Sequence, residues 1–164
     1  MKVVSVSPAV TEILFALDCG DRLIGRTDFC NYPPEAKNIK SIGGINNTNL
    51  EEVIKLKPDL VITSSIFTKK MFQTIEDAGI PIISFRETNT IEGLYETIEM
   101  LGEVMDKETK AKSIIDSFKE DLKNVKIKRD SVQKSRKTTT LPKVYYVVGF
   151  GQMGDFSAGK NTFI

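Results

Sequence analysis

The sequence contains no histidine. That removes the side chain most used as a general base near neutral pH and the commonest zinc ligand, and it rules out a Ser-His-Asp triad. Tryptophan is also missing, and cysteine occurs only twice, at Cys19 and Cys30. Two thiols cannot frame a chain of 164 residues, and their spacing fits neither a CxxC motif nor a metal knuckle. Two free thiols are expected, with a single Cys19–Cys30 bridge as the alternative. No apolar run exceeds about five residues, so no segment reads as a transmembrane helix. Neither sign of charge dominates: 23 basic and 22 acidic residues leave a formal charge of +1. A nucleic-acid binder would carry a basic excess, so no nucleic-acid partner is expected.

No signal-peptide pattern opens the chain, which runs from Met1-Lys2 directly into a strand pattern. A cytosolic location and a removed leader both fit this opening. Hydrophobic residues make up 40% and charged residues 27%, an ordinary globular composition. The length suits one packed domain, or one domain and part of another.

Short β-type runs alternate with helical patterns. Val3–Val6 reads as a strand, with Ser7 as helix cap and Pro8 at the first helical position, where its missing N–H costs nothing. Gly20 is expected to end that helix. Leu23–Arg26 is a second strand, followed by a loop holding Tyr32-Pro33-Pro34 and then Gly43-Gly44. Asn49 and Glu52 have capping-box spacing ahead of a helix that Pro58 stops. Leu60–Thr63 is the clearest buried strand. Thr68–Ala78 is helical and closed by Gly79, Ile82–Phe85 is a strand, and Asn89 with Glu92 repeats the capping-box spacing before a helix that reaches about Met105. From Lys107 a longer helix carries one apolar stripe through Ala111, Ile114, Ile115, Phe118, Leu122 and Val125. Its basic end, Lys126 to Thr140, is expected to fray into a linker. Val144–Val148 reads as a further strand. The pattern specifies an α/β fold, Rossmann-like, with a mainly parallel sheet and helices on both faces. Ligands of such sheets bind beyond the carboxyl ends of the strands, which directs attention to the loops after Val6, Arg26, Ile42, Thr63 and Phe85.

Two glycine motifs do not carry their usual chemistry. Gly149-Phe150-Gly151-Gln152-Met153-Gly154 matches GxGxxG after a strand, but the sequence supplies neither the following helix nor the later acidic residue that a dinucleotide site needs. Gly154 to Lys160 matches most of a P-loop, yet Asn161 stands where Ser or Thr would hold magnesium. A flexible glycine-rich connection is the simpler reading. Glu51-Glu52 reads as a helix start, where acidic side chains complement the helix dipole. No catalytic set emerges, so the protein is not expected to be an enzyme, and no cofactor is expected.

Four segments carry a family likeness: Val4 to Glu12, with its Ser7-Pro8; Asn31-Tyr32-Pro33-Pro34-Glu35-Ala36; Ile42-Gly43-Gly44 with Asn49-Leu50-Glu51; and Leu56-Lys57-Pro58-Asp59-Leu60-Val61-Ile62. In order and spacing they resemble the binding proteins of ABC importers for cobalamin, ferric siderophores and haem. The resemblance implies two α/β lobes joined by a stiff spine helix, with a shallow cleft between them. Residues 1–106 would form the first lobe, 107–142 the spine helix and linker, and 143–164 the start of a truncated second lobe.

By position, the resemblance places Ser7 and Pro8 on one wall of the cleft. Thr27, Asp28, Phe29 and Tyr32 form the next loop, Gly44 and Ile45 a close backbone approach, Ser64, Ser65, Ile66 and Phe67 the loop after the central strand, and Phe85 and Arg86 the last wall. The aromatics could pack on a macrocycle or catecholate, and Arg86 could pair with a ligand carboxylate or phosphate. Plainer roles stand beside these: Phe85 as core, Tyr32 as a loop stiffener, Arg86 with Glu87 as a solvated pair.

The implied partners are a small-molecule ligand (corrinoid, haem or ferric siderophore) and an ABC permease in the membrane, at a periplasmic or extracellular location that is membrane-associated in Gram-positive hosts. The family's acidic docking position falls on Thr68-Lys69-Lys70, where the charge is reversed. The strand at 144–148, lacking its lobe, is expected to pair with the first sheet or with a second copy in a homodimer. Two alternatives remain open: a single-lobe sensor or interaction module acting through dimerisation, and a nucleotide-dependent enzyme of the doubly wound class.

Overall fold

The computed structural model describes residues 1–45, 47–64, 67–85 and 90–135, and the backbone of 147–149 and 156–157. Its chain order is β1 (Val3–Ser5), α1 (Pro8–Ala16), β2 (Leu23–Arg26), α2 (Leu50–Leu56), β3 (Leu60–Ser64), α3 (Lys69–Asp77), β4 (Ile82–Phe85), α4 (Ile91–Val104), α5 (Glu108–Ser135), β5 (Val147–Gly149) and β6 (Phe156–Ser157). Short 3-10 turns at Gly20–Arg22 and Pro34–Asn38 flank β2. The first four strands form one parallel sheet in the order β2-β1-β3-β4, so the α/β class read from the sequence stands.

Strand periodicity sorts the core into two layers. Val3, Leu60, Ile62 and Phe85 face α1, α4 and α5, with Leu14, Leu17, Ile98, Leu101 and Ile115 opposite them. Val4, Val6 and Val61 face the other way, onto Val53 of α2 and Ile75 of α3. Neighbouring residues of one strand point to opposite faces, so a strand buried on both faces must be apolar at nearly every position. β3 is buried along its whole length, apolar at Leu60, Val61 and Ile62 and polar only in the hydroxyls of Thr63 and Ser64 at its carboxyl end.

Several element ends differ from expectation. Helix α1 stops before Gly20: the Cys19 N–H donates to Leu14 O at 2.8 Å and the Asp18 N–H to Phe15 O at 3.0 Å. This Schellman closure puts Asp18 at a φ of 57°, a left-handed position that aspartate tolerates better than most residues. Helix α4 closes the same way, with Lys107 N–H donating to Gly102 O at 2.7 Å and Asp106 at a φ of 54°. Gly79 does close α3, at a φ of 73°.

The N-terminal caps also shift. Ser7 occupies the cap position of α1, but its side chain makes no capping bond. Asn49 caps α2 through Glu52 N–H at 3.0 Å. The box is not reciprocal, because the Glu52 carboxylate turns to Lys40. The cap of α4 is Thr90, which accepts from Gly93 N–H at 3.1 Å, one place later than expected; Asn89 lies outside the described residues.

Helix α5 stays helical through Ser135, so the expected fraying from Lys126 does not occur over that stretch. Only the first part of its stripe is covered: Ala111 and Ile115 are buried, whereas Phe118 and Val125 are exposed. Within residues 144–148, the described strand begins at Val147 and pairs antiparallel with Phe156–Ser157. The backbone partner of β5 is therefore a local hairpin strand, and not the main sheet. The GxGxxG and P-loop-like stretches fall mostly outside the described residues. Cys19 and Cys30 are both free and buried.

Candidate functional site

The strand order reverses between β1 and β3. From β1 the chain moves outward to β2 on one side, then returns to place β3 and β4 on the other. Such a switch point leaves a crevice at the carboxyl ends of the central strands, because the loops leaving them diverge to opposite faces. The two strands are in register, with Ser5 beside Ile62 and Val6 N–H donating to Ile62 O at 2.8 Å. Ser7, two residues past β1, and Ser64, the last residue of β3, stand at the carboxyl ends of these two strands.

Buried polarity concentrates there. Among the described residues the buried polar side chains are Ser5, Ser7, Thr11, Thr27, Thr48, Thr63 and Ser64, all hydroxyls. A hydroxyl can satisfy itself locally by donating to a carbonyl, so it enters a strand-end edge at lower cost than a charge. Thr11 Oγ1 donates to Ser5 Oγ at 2.9 Å, with Ser7 O at 3.2 Å as an alternative acceptor, and Ser5 Oγ donates to Ser7 O at 2.9 Å. This three-residue network fixes the β1–α1 turn beneath Pro8. Thr48 Oγ1 donates to Gly44 O at 2.8 Å and closes the loop that carries Gly44 and Ile45.

The loop after β2 is tied to its neighbour. Asp28 N–H donates to Gly43 O at 2.9 Å, and Ser41 Oγ donates to the Asp28 carboxylate while accepting from Gly43 N–H at 3.1 Å. Thr27 Oγ1 lies 3.1 Å from Cys30 Sγ. On this scaffold Phe29 and Tyr32 stand out into solvent, 60% and 62% exposed. A Cβ built on Gly44 would sit 3.6 Å from the Phe29 ring and would collide with the Asn47 side chain. Gly44 is thus covered, and not an open backbone surface. Tyr32 also reaches the mouth of an apolar groove of about 320 Å³ between α1, α4 and α5, lined by Ala9, Ile13, Leu94, Ile98 and Phe118 among others.

Ser7, Pro8, Asp28, Phe29, Tyr32 and Ser64 lie at or after the carboxyl ends of the parallel strands β1, β2 and β3, and Gly44 and Ile45 follow the Gly43 that binds Asp28. Phe67 packs partly into the α2/α3 layer. Phe85, 8% exposed, packs inside the layer beneath α1, α4 and α5. Ser65 and Arg86 lie outside the described residues. Three contributors were missed in the sequence: Ser5 and Thr11, and Arg26, whose guanidinium binds the loop carbonyls. A serine between two buried valines, and a threonine one helical turn after Ser7, were the available signals for the first two. Among the described residues three groups have shifted titration, and none of them is one of these site residues. The hydrogen bond from Lys110 lowers the Asp18 carboxyl, burial raises the Cys19 thiol, and the hydrogen bond from Lys40 lowers the Glu52 carboxyl.

A parallel doubly wound sheet with hydroxyls and exposed aromatics at its switch point defines the class: an α/β lobe with a strand-end candidate site. A family model described as periplasmic binding protein matches residues 3–158, and the chain belongs to that family. It is 33% identical, over 99% of its own length and 51% of the relative's, to an uncharacterised ABC transporter substrate-binding lipoprotein of Bacillus subtilis. It is 29% identical, over 99% of its length and 61% of the relative's, to the vitamin B12-binding protein of Vibrio parahaemolyticus. In fold it resembles a periplasmic heme-binding protein of Pseudomonas aeruginosa, with a TM-score of 0.86 at 23% identity over 99% of this chain and 57% of that one. The chain therefore spans 51% to 61% of the length of these proteins.

Proposed function

We propose that this chain is the first lobe of the solute-binding component of an ABC importer, and that its switch-point edge captures a corrinoid or a ferric chelate such as haem or a ferric siderophore. The observation that carries the reading is the pair of rings, Phe29 and Tyr32, more than half exposed on a loop that is itself hydrogen-bonded to its neighbours. Water-exposed aromatics on an ordered loop suit a large flat cargo with polar edges. In this reading Ser7, Pro8, Asp28, Phe29, Tyr32, Ile45, Ser64 and Phe67 contribute one wall, with Ser65 and Arg86 beside them and Gly44 packed behind Phe29 and Asn47. Phe85 supports that wall from within. Residues 1–106 act as the lobe, 107–142 as spine and linker, and 143–164 as the entry to a second lobe.

The chemistry is capture and release, with no bond made or broken in the cargo. Delivery to an ABC permease places the protein outside the cytoplasmic membrane, as the family name and the lipoprotein relative suggest. The test is calorimetric titration with cyanocobalamin, haemin and a ferric hydroxamate. It is run on residues 1–164 and on the product of the reading frame extended past 164. Saturable binding of one of these by the extended product is expected, with weaker binding by 1–164, because one lobe offers one wall. Failure of every cargo to bind either form overturns the reading.

A further inference from the structure

We infer that Arg26 is a positioning residue for cargo capture: by holding both ends of the Thr27–Lys37 loop, its guanidinium presents Phe29 and Tyr32 in the conformation that receives the cargo. The inference rests on the reading of this edge as the cargo site. Arg26 is the last residue of β2, and its main chain already anchors the far side of the loop. Its N–H donates to Lys40 O at 3.0 Å and its carbonyl accepts from Ile42 N–H at 2.9 Å. The side chain adds three more bonds. Nη1 donates to Thr27 O at 2.8 Å, where the loop leaves the strand. Nε donates to Ala36 O at 3.0 Å and Nη2 to Lys37 O at 3.3 Å, where the loop ends in its 3-10 turn. One planar cation thus clips residue 27 to residues 36 and 37.

The clip has consequences for the two rings. Phe29 and Tyr32 lie between its ends, and each is more than half exposed. Their own burial therefore contributes little to holding the loop. Within the loop, the hydrogen bonds of Asp28, Cys30 and Ala36 N–H groups remain, but none of them joins its two ends. Order in the free protein comes from the buried Thr27, Cys30 and Ala36, from the Ser41–Asp28 and Thr27–Cys30 contacts and from the Arg26 side-chain bonds. Of these only the Arg26 bonds tie residue 27 to residues 36 and 37. An ordered loop avoids part of the entropy cost of binding. Lysine cannot substitute: an ammonium is a point donor on a flexible stem and lacks the fork that reaches three carbonyls in fixed geometry.

The experiment compares the full gene product with its Arg26→Met and Arg26→Lys variants. Hydrogen exchange is followed across residues 28–38 and across β3, together with calorimetric binding of cyanocobalamin and haemin. Expected in both variants is faster exchange over 28–38, unchanged exchange over 60–64, and a loss of about tenfold or more in affinity for whichever cargo binds. A purely structural role would instead speed exchange in β3 as well. Affinity within twofold of wild type despite a loosened loop overturns the inference, as does unchanged exchange over 28–38. If Arg26→Met does not fold, Arg26→Lys, which keeps the charge and the stem, decides the matter alone. If the wild-type product binds neither cargo, the cargo reading of the edge falls with it, and the hold of Arg26 on the loop is judged by exchange alone.

Discussion

Gly102 of α4 lies so close to α5 that a Cβ built on it would stand 2.6 Å from the Cβ of Ala111. The same glycine supplies the carbonyl that accepts from Lys107 N–H in the closure between the two helices. An alanine would gain helix propensity, roughly 1 kcal/mol. It would also force backbone apart at a contact with no flexible side chain to yield, costing about 1–3 kcal/mol. The second effect wins, because Gly102 and Ala111 are both buried. Gly102→Ala is expected to lower stability by up to about 2 kcal/mol in urea denaturation, the difference of those two magnitudes. A stabilised variant would show that the helices separate freely here.

Thr11 and Ser5 share a hydrogen bond in a fully buried position, so their substitutions should not add. Thr11→Val keeps the shape and removes the donor, at about 1–2 kcal/mol. Ser5→Ala should cost less, because Thr11 Oγ1 keeps Ser7 O as an acceptor. The double variant should fall short of the sum by about 0.5 kcal/mol or more, the usual mark of directly coupled neighbours. A double-mutant cycle by urea denaturation measures this, and strict additivity would mean that the two hydroxyls do not interact.

Most of the sheet was legible in the sequence because strands buried on both faces leave little choice of residue. Val3-Val4 and Leu60-Val61-Ile62, buried in the two central strands, could scarcely be anything else, and the β-branched pair Ile82-Ile83 marked the partly buried edge strand β4. Helix ends were less legible. A left-handed closing residue can be aspartate as well as glycine, so Asp18 and Asp106 ended helices where no glycine signalled it. The site was legible at the level of loops, since the strand-end rule needs only the alternation of elements. The sequence could not say which side chains leave the core. Phe85 packs inward and Phe29 outward, yet both are phenylalanines at the carboxyl end of a strand, Phe85 the last residue of β4 and Phe29 three residues past β2. The role of Arg26 depends on three carbonyls ten or eleven residues away or adjacent in the chain. A backbone acceptor has no sequence signature.

The Glu52–Lys40 pair links α2 to the loop before it. The hydrogen bond from Lys40 holds the Glu52 carboxyl below the usual carboxylate range in the folded protein. A lowered carboxyl contributes stability that is present above its unfolded pKa and is lost as pH falls through the folded value. Glu52→Gln should therefore be slightly less stable than wild type near neutral pH, with the difference vanishing in acid. High salt should shrink it too, because the pair lies at the surface. Thermal melts of both proteins across the acidic range test the sign. A difference that grows toward low pH would contradict it.

Phe29 and Phe85 sort the two roles an aromatic can have at this edge. Phe85 is packed among Leu60, Ile62 and the α1/α4/α5 layer, so Phe85→Ala opens a cavity and should cost about 3–5 kcal/mol of stability. Phe29 is 60% exposed, and a surface truncation of this kind should move stability by no more than about 0.5 kcal/mol. Cargo affinity should show the reverse order once Phe85→Ala is measured well below its melting range. Losing an exposed ring that stacks on cargo removes contact area outright, whereas a core substitution that leaves the edge in place does not. A direct comparison uses urea denaturation for stability and calorimetry with cyanocobalamin and haemin for affinity. Unchanged affinity in Phe29→Ala, alongside measurable binding by wild type, would remove this ring from the cargo site and shift the stacking role to Tyr32 alone.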